Sequence, residues 1–160
     1  MADQFVEVAT ESGILRGKKK LSTGLTSVPY YAFLGVPYAK PPIGDLRFKA
    51  PQPLEPWKGV RDALKDGSSA PQGLFTPGQV QGDEDCLYLN VYTPQHPDQV
   101  KSLKAVLFNS HGGGFIGGEG VSTVYPPDNF IDKDIVYVSP NYRVGALGFL
   151  SLQNDDISGN

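Results

Sequence analysis

The sequence predicts an α/β fold, with a small antiparallel β-sheet near the N-terminus followed by the first strands of a larger mixed sheet. The first part of the chain is rich in short segments that alternate in polarity or carry aromatic residues, as half-buried strands do. Further on, residues 104–109 (KAVLFN) and 135–139 (IVYVS) are short apolar runs typical of strands buried on both faces. The helices that would cover such strands are not in this sequence. We therefore expect residues 1–160 to be a fragment of a single domain, whose covering helices a second chain or a missing continuation must supply.

The individual elements follow from local patterns. Strands are predicted at residues 5–8, 13–17, 30–36 and 87–92, where alternation or aromatic residues prevail. Several prolines between the last two strands exclude helix interiors there. They are Pro37, Pro41, Pro42, Pro51, Pro53 and Pro56. Pro126 and Pro127 favour one short helix after the glycine-rich segment 112–120, because proline fixes φ in the first turn of a helix.

Charge and composition limit the classes of partner. The chain has 160 residues, a formal net charge of −3, 19 glycines and 14 prolines. Negative charge disfavours nucleic acids and anionic membrane surfaces as partners. No apolar stretch is long enough to predict a membrane span.

Cysteine content and the N-terminus bear on the compartment. Cys86 is the only cysteine, so no internal disulfide can form. Residues 1–13 lack the positive and apolar regions of a secretory signal. A reducing, cytoplasmic location fits both observations, although a mature chain whose signal had been removed would begin in the same way.

The segment with the most chemical content is HGGGF at residues 111–115, shortly after the apolar run 104–109. Glycine lets the backbone take conformations closed to other residues and lets a ligand approach the amide groups closely. Two convergent N–H donors would stabilise the negative oxygen that develops when a nucleophile attacks an ester carbonyl. HGGG segments that follow a strand play this part in lipases and esterases.

Two other interpretations of this loop stay open. Gly112, Gly114 and Gly117 have the G-x-G-x-x-G spacing of dinucleotide-binding loops. That site needs a helix to begin there, whereas Gly118 and Gly120 continue the loop. A glycine-rich turn without a function would have the same composition. We favour the oxyanion interpretation.

No catalytic triad can be assembled from these residues. A G-x-S-x-G nucleophile elbow is absent, and Ser122, in the nearest approach to one, is interpreted as a solvated loop residue. His96 lies in a polar turn. His111 has no serine or acid beside it, so we expect it to orient the loop by a hydrogen bond. The acidic cluster at 83–85 lacks partners at metal-ligand spacing, which favours a structural ion pair; we expect neither a metal nor a cofactor.

Motifs along nearly the whole chain, in family order, resemble the type-B carboxylesterase and cholinesterase family, which has the α/β-hydrolase fold. They are FLGVPYA and PPIGDLRF within 33–48, EDCLYLNVY at 84–92, HGGGF at 111–115 and NYRVGALGFL at 141–150. Within that family the chain is most similar to intracellular α-type esterases of insects. The resemblance implies that residues 1–160 are the N-terminal portion of a single α/β-hydrolase domain. It also implies a serine carboxylesterase acting through an acyl-enzyme, of which this chain supplies the oxyanion hole but not the Ser-His-acid triad.

The resemblance also assigns roles to single residues. Gly113 and Gly114 match the glycines whose amides line the oxyanion hole, and a third donor would follow a serine that is not in this chain. The candidate pocket residues are His111, Gly112, Phe115 and Tyr142. Arg47 and Glu84 match a family ion pair. Arg143 matches a buried arginine whose acidic partner would lie beyond Asn160.

Two departures from the family refine the expectation. The family usually joins the cysteine at position 86 to an earlier one, but the matching position here is Ala70, so Cys86 is expected to be a free, buried thiol. The loop between them contains no tryptophan to hold a quaternary ammonium group, which favours a small, neutral, apolar ester over choline esters. The expected partner is the remainder of the same domain. The alternatives are a non-catalytic binding or adhesion protein and an inactive truncated product.

Overall fold

A mixed β-sheet forms the body of this computed structural model, which describes residues 4–73, 78–100, 102–154 and 157. The strands are β1 (Phe5–Thr10), β2 (Gly13–Leu21), β3 (Pro29–Pro37), β4 (Val60–Asp62), β5 (Gln72–Gly73), β6 (Val80–Gln81), β7 (Tyr88–Thr93), β8 (Val106–Phe108) and β9 (Val136–Pro140). The helices are α1 (Asp128–Ile131) and α2 (Gly145–Phe149), with 3-10 turns at Gly44–Leu46 and Pro97–Gln99. None of the helices described has the length and hydropathy needed to cross a bilayer.

The sheet joins the two predicted parts without a break. Its strand order is β1-β2-β3-β7-β9-β8, with β4 paired to β2, while β5 and β6 form a separate hairpin. Neighbours from β1 to β9 in this order are antiparallel, whereas β8 runs parallel to β9 and β4 parallel to β2. The strands predicted from the sequence are all present, and α1 is the short helix expected after the proline pair.

Alternation along β3 divides the two faces of the sheet between two apolar clusters. Tyr30, Ala32 and Leu34 belong to a cluster that also contains Ile131 of α1. Phe33 is out of phase with them and packs in a second cluster, together with Val6, Leu15 and Ala63. Because successive strand residues point to opposite faces, β3 has apolar partners on both sides.

A third cluster surrounds the single cysteine. Cys86 and Ala70 are both buried in it, with Ala39, Leu87 and Val144. Burial disfavours the thiolate and raises the pKa of the Cys86 thiol to about 11. The thiol is free, as the sequence predicted, and the alanine that replaces its expected partner lies in the same cluster.

β8 is uncovered, as expected of a strand whose covering helices are not in this sequence. Val106 and Phe108 are 63% and 58% exposed. In the part of the chain that the structure describes, β8 is the outermost strand on its side and pairs only with β9. An apolar groove of about 470 Å³, lined in part by Val106 and Val136, opens beside it. The apolar composition of β8 predicted that other elements cover both of its faces, and the described residues leave Val106 and Phe108 exposed.

Cys86 is expected to resist alkylation while the protein is folded. Its thiol is buried and stays protonated at neutral pH, and the thiolate is the reactive form. In the full-length protein, a maleimide should modify Cys86 at least about a hundredfold more slowly under native conditions than in urea. Mass spectrometry of the Cys86 peptide gives the rate, with Cys86→Ser as the blank, and equal rates would contradict the burial of this cluster.

Candidate active site

The glycine-rich loop between β8 and α1 turns part of its backbone towards solvent. Residues 112–116 are exposed, and Gly113, Gly114 and Phe115 have φ of 130°, 60° and 65°. Among the described residues, the N–H groups of Gly113 and Gly114 have no hydrogen-bond acceptor. Two adjacent backbone donors are therefore open to a ligand.

The loop is closed by its own backbone. The N–H groups of Ile116 and Gly117 donate to the carbonyl oxygen of Gly113 over 3.1 and 3.3 Å. A Cβ at position 113 would collide with the carbonyl oxygen of Gly117, and side-chain-bearing residues rarely adopt a φ of 130°. Both the close contact and the backbone conformation require glycine at position 113.

His111 and Tyr142 hold the start of the loop. Their rings stack with centroids 4.1 Å apart and planes inclined by 12°. The Tyr142 hydroxyl donates to the His111 carbonyl oxygen over 2.6 Å. Nδ1 of His111 lies 2.8 Å from the carbonyl oxygen of Gly112, a contact that requires the ring proton on Nδ1. His111 is buried, and within the described ranges its Nε2 has no partner.

Phe115 ties the outer side of the loop to the start of α2. Its carbonyl oxygen accepts a hydrogen bond from the Gly145 N–H over 2.6 Å. Its ring meets the Phe149 ring edge-on, with centroids 5.1 Å apart. Of the predicted pocket residues, Gly112 and Phe115 are exposed, Tyr142 is part-buried and His111 is buried.

A buried polar network fixes the loop at Gly120, where its glycine-rich part ends. The Gly120 N–H donates to Oδ1 of Asn141 over 2.6 Å. Its carbonyl oxygen accepts from Nδ2 of Asn90 at 3.1 Å and from Oγ of Ser139 at 2.9 Å. Nδ2 of Asn141 also donates to the Ser68 carbonyl oxygen at 2.9 Å, so both ends of this amide are satisfied.

Asp66 extends this network and corrects the prediction for Ser122. The backbone N–H and the hydroxyl of Ser122 donate to the two carboxylate oxygens of Asp66 over 2.9 and 2.6 Å. Asn90 Nδ2 also donates to Asp66, over 2.6 Å. The expectation of a solvated loop residue was wrong, because Ser122 is part-buried and bonded to an acid distant in sequence.

A cleft of about 490 Å³ opens along the loop beside the β5–β6 hairpin. The loop contributes Gly113, Ile116 and Glu119 to its wall, and Val124 and Tyr125 follow. The cleft therefore reaches Gly113, one of the two residues with an open amide, and has apolar side chains in the same wall.

The predicted structural residues lie near the third cluster. Arg47 Nε and Nη2 donate to the two oxygens of Glu84, each over 2.6 Å. This bonding lowers the pKa of the Glu84 carboxyl and raises that of Arg47. Arg143 is buried and donates through Nη2 to the Lys49 carbonyl oxygen over 2.9 Å. Its charge acts to lower the pKa of Cys86, against the larger effect of burial.

The remaining polar candidates have local partners. Asp83 accepts the Asp85 N–H over 2.8 Å, and Asp85 accepts the Tyr88 hydroxyl over 2.9 Å. His96 accepts the Asp98 N–H over 3.2 Å in the turn where the sequence placed it. Over the ranges described, no three His, Cys, Asp or Glu side chains are arranged to hold a metal ion.

Comparison with known proteins decides the family. A family model described as "Carboxylesterase family" matches residues 4–160. The chain belongs to the carboxylesterase family. It is 43% identical over 155 residues to juvenile hormone esterase of Tribolium castaneum, covering 96% of this chain and 26% of that protein. It is 47% identical over 134 residues to esterase E4 of Myzus persicae, covering 81% of this chain and 24% of that protein.

A solved carboxylesterase structure has the same fold. Juvenile hormone esterase from Manduca sexta, crystallised with OTFP covalently attached, superposes with a TM-score of 0.86 at 38% identity. The match covers 98% of this chain and 30% of that one, so the α/β-hydrolase fold and its N-terminal portion are confirmed. The chain spans about a quarter of the length of the curated carboxylesterases it matches.

Sequence reasoning missed the side chains that hold the glycine loop in place. Asp66, Gln72 and Asn90 contact the loop from 30 to 56 residues away in sequence. A single Asp, Asn or Gln carries no local pattern, so no motif singled them out. Asn141 had a signal, since it opens the NYRVGALGFL motif, but its role as an acceptor for Gly120 appears only in three dimensions.

Asn141→Leu should destabilise the protein more than Ser139→Ala. The first change removes the acceptor of the buried Gly120 N–H and the Asn141 donor to the Ser68 carbonyl oxygen, and it is expected to lower the free energy of unfolding by about 1–3 kcal/mol. The second removes one of two donors to the Gly120 carbonyl oxygen and should lower it by about 1 kcal/mol or less. Urea denaturation of the full-length variants measures both, and equal losses would contradict the role given to Asn141.

Proposed function

We propose that the protein containing this chain is a serine carboxylesterase that acts through an acyl-enzyme intermediate, and that residues 111–115 supply its oxyanion hole. The supporting observation is the pair of adjacent N–H groups at Gly113 and Gly114, which have no acceptor in the part of the chain that the structure describes and lie in a loop held at both ends. Donors fixed before the reaction stabilise developing charge without reorganising, and each contributes about 3 kcal/mol to such transition states.

The proposed reaction has two halves. A serine from the remainder of the protein attacks the ester carbonyl carbon while a base takes its hydroxyl proton. The carbonyl oxygen becomes negative and accepts hydrogen bonds from the Gly113 and Gly114 amides. Collapse of this intermediate expels the alcohol, which takes up the proton, and leaves the acyl-enzyme. Water then attacks the acyl carbonyl at the same hole, releases the acid and restores the serine hydroxyl.

The remainder of the same domain is the proposed partner. The exposure of β8 and the apolar groove beside it support this proposal, since helices cover both faces of parallel strands in α/β proteins. We assign to that remainder the serine, the histidine, the acid of the triad and the acidic partner of Arg143.

The proposed substrate is a small, neutral, apolar ester. Ile116, Val124 and Tyr125 give the cleft apolar walls next to Gly113. The sequence from 70 to 86 contains no tryptophan to bind a quaternary ammonium group. Residues 74–77 of this loop lie outside the described residues. A cytoplasmic location stays a prediction, and the free Cys86 thiol supports it.

Labelling of the full-length protein with a serine-directed phosphonate tests the proposed function. We expect stoichiometric labelling of one serine outside residues 1–160 and parallel loss of activity towards a short-chain nitrophenyl ester. Intact mass under denaturing conditions gives the stoichiometry. A folded full-length protein that takes up no phosphonate and hydrolyses no ester would instead be a non-catalytic member of the family.

Gly114→Asp should suppress ester turnover far more than Gly114→Asn. Position 114 has open space for a side chain, and aspartate and asparagine both tolerate its φ of 60° better than most residues. The two side chains have nearly the same shape, but only the carboxylate repels the oxyanion forming beside it. We expect kcat to be at least about tenfold lower for aspartate than for asparagine, a difference of about 1.4 kcal/mol in transition-state stabilisation.

The matched pair separates charge from bulk. Steady-state kinetics of both full-length variants on one neutral ester gives kcat and KM. Equal kcat values for the two variants would show that no negative charge develops next to Gly114, and the hole would have to lie elsewhere.

A further inference from the structure

We propose that Gln72 is a positioning residue for the oxyanion hole: through Gly118, its side-chain amide holds the loop in the shape that aims the Gly113 and Gly114 N–H groups. The inference rests on the proposed function and assigns a role to a residue outside the glycine loop. Gln72 lies in β5, at the edge of the cleft.

The Gln72 amide forms a two-way clamp on one residue of the loop. Its Oε1 accepts the Gly118 N–H over 2.6 Å, and its Nε2 donates to the Gly118 carbonyl oxygen over 2.9 Å. Nε2 also donates to the Ala70 carbonyl oxygen over 3.2 Å. Every polar atom of the side chain is therefore bonded to backbone, and the side chain is buried.

Gly118 packs against the part of the loop that carries the open amides, so the clamp on Gly118 also restrains that backbone. A side chain at Gly118 would meet the Gly112 carbonyl oxygen and the His111 ring, so its Cα packs against the first half of the loop. The preceding Gly117 is also linked to Gly113, because its N–H donates to the Gly113 carbonyl oxygen over 3.3 Å and a side chain at Gly113 would meet the Gly117 carbonyl oxygen. Displacing the 117–118 peptide would therefore shift the backbone that carries both amides.

This geometry predicts that a variant without the Gln72 amide loses transition-state stabilisation but binds substrate normally. The Gln72 polar atoms are bonded to backbone, so removing the amide should change ground-state binding little. Misplacing oxyanion donors should lower kcat by roughly 10- to 100-fold. Affinity for a trifluoromethyl ketone, whose adduct with serine carries an oxyanion, should fall by a similar factor because it needs the same donors.

Two substitutions in the full-length protein test the clamp. Gln72→Leu removes both hydrogen bonds to Gly118, and the one to Ala70, at similar volume. Gln72→Glu keeps an acceptor for the Gly118 N–H. When the glutamate is ionised, however, its second oxygen has no proton to donate and is repelled by the carbonyl oxygens of Gly118 and Ala70. Protonation makes that oxygen a donor again, so kcat of Gln72→Glu relative to wild type should rise as the pH is lowered. Gln52→Leu is the control, since the Gln52 side chain is exposed and, among the described residues, bonds only the nearby Ala50 carbonyl oxygen.

The expected result is a lower kcat and weaker ketone binding for Gln72→Leu, with KM within about twofold of wild type, together with pH-dependent recovery of Gln72→Glu. Wild-type kcat and ketone affinity in Gln72→Leu, or a pH-independent ratio for Gln72→Glu, would overturn the inference. Loss of cooperative folding in both variants would also overturn it, since Gln72 would then support the whole fold. If wild type itself neither hydrolyses esters nor binds the ketone, the proposed function fails as well.

Discussion

The loop after β8 must keep its shape without using the N–H groups of Gly113 and Gly114, because an amide already bonded within the protein is not free for a ligand. Its rigidity therefore depends on bonds made at other positions. At the start, the His111 ring is stacked on Tyr142 and buried. At the end, Gly120 is bonded through both its N–H and its carbonyl oxygen. The two open amides lie between these fixed ends, which is the preorganisation that the proposed oxyanion hole requires.

The sheet supplies the groups that fix the end of this loop. Asn90 on β7 and Ser139 on β9 are cross-strand partners, and both donate to the Gly120 carbonyl oxygen. Asn141, just after β9, accepts the Gly120 N–H. A slip of one residue in the β7–β9 register would turn these side chains to the opposite face and release the loop. The register of the β7–β9 pair thus determines how the loop of the candidate site is held.

The strands and the loop could be predicted from sequence because each has a local signature. Alternation marked β1 and β7, aromatic and apolar residues marked β3, and HGGGF shortly after β8 marked the loop. The family resemblance then assigned Gly113 and Gly114. The apolar composition of β8 predicted a strand that needs covering helices, and its exposure agrees with the absence of those helices from this sequence. Ser122 was misjudged because its partner, Asp66, is 56 residues away. Polar side chains that act across the fold leave no periodic pattern, which is why Gln72 and Asn90 emerged only from the structure.

The central claim is that the Gly113 and Gly114 amides together receive the oxyanion. A crystal structure of the full-length protein after reaction with a phosphonate tests it most directly, because the phosphonyl oxygen then occupies the position of the oxyanion. The account predicts this oxygen at about 2.7–3.1 Å from the backbone nitrogen atoms of both glycines, with the loop from His111 to Gly120 unchanged. A phosphonyl oxygen bound by other donors, with the amides of Gly113 and Gly114 facing solvent, would contradict it.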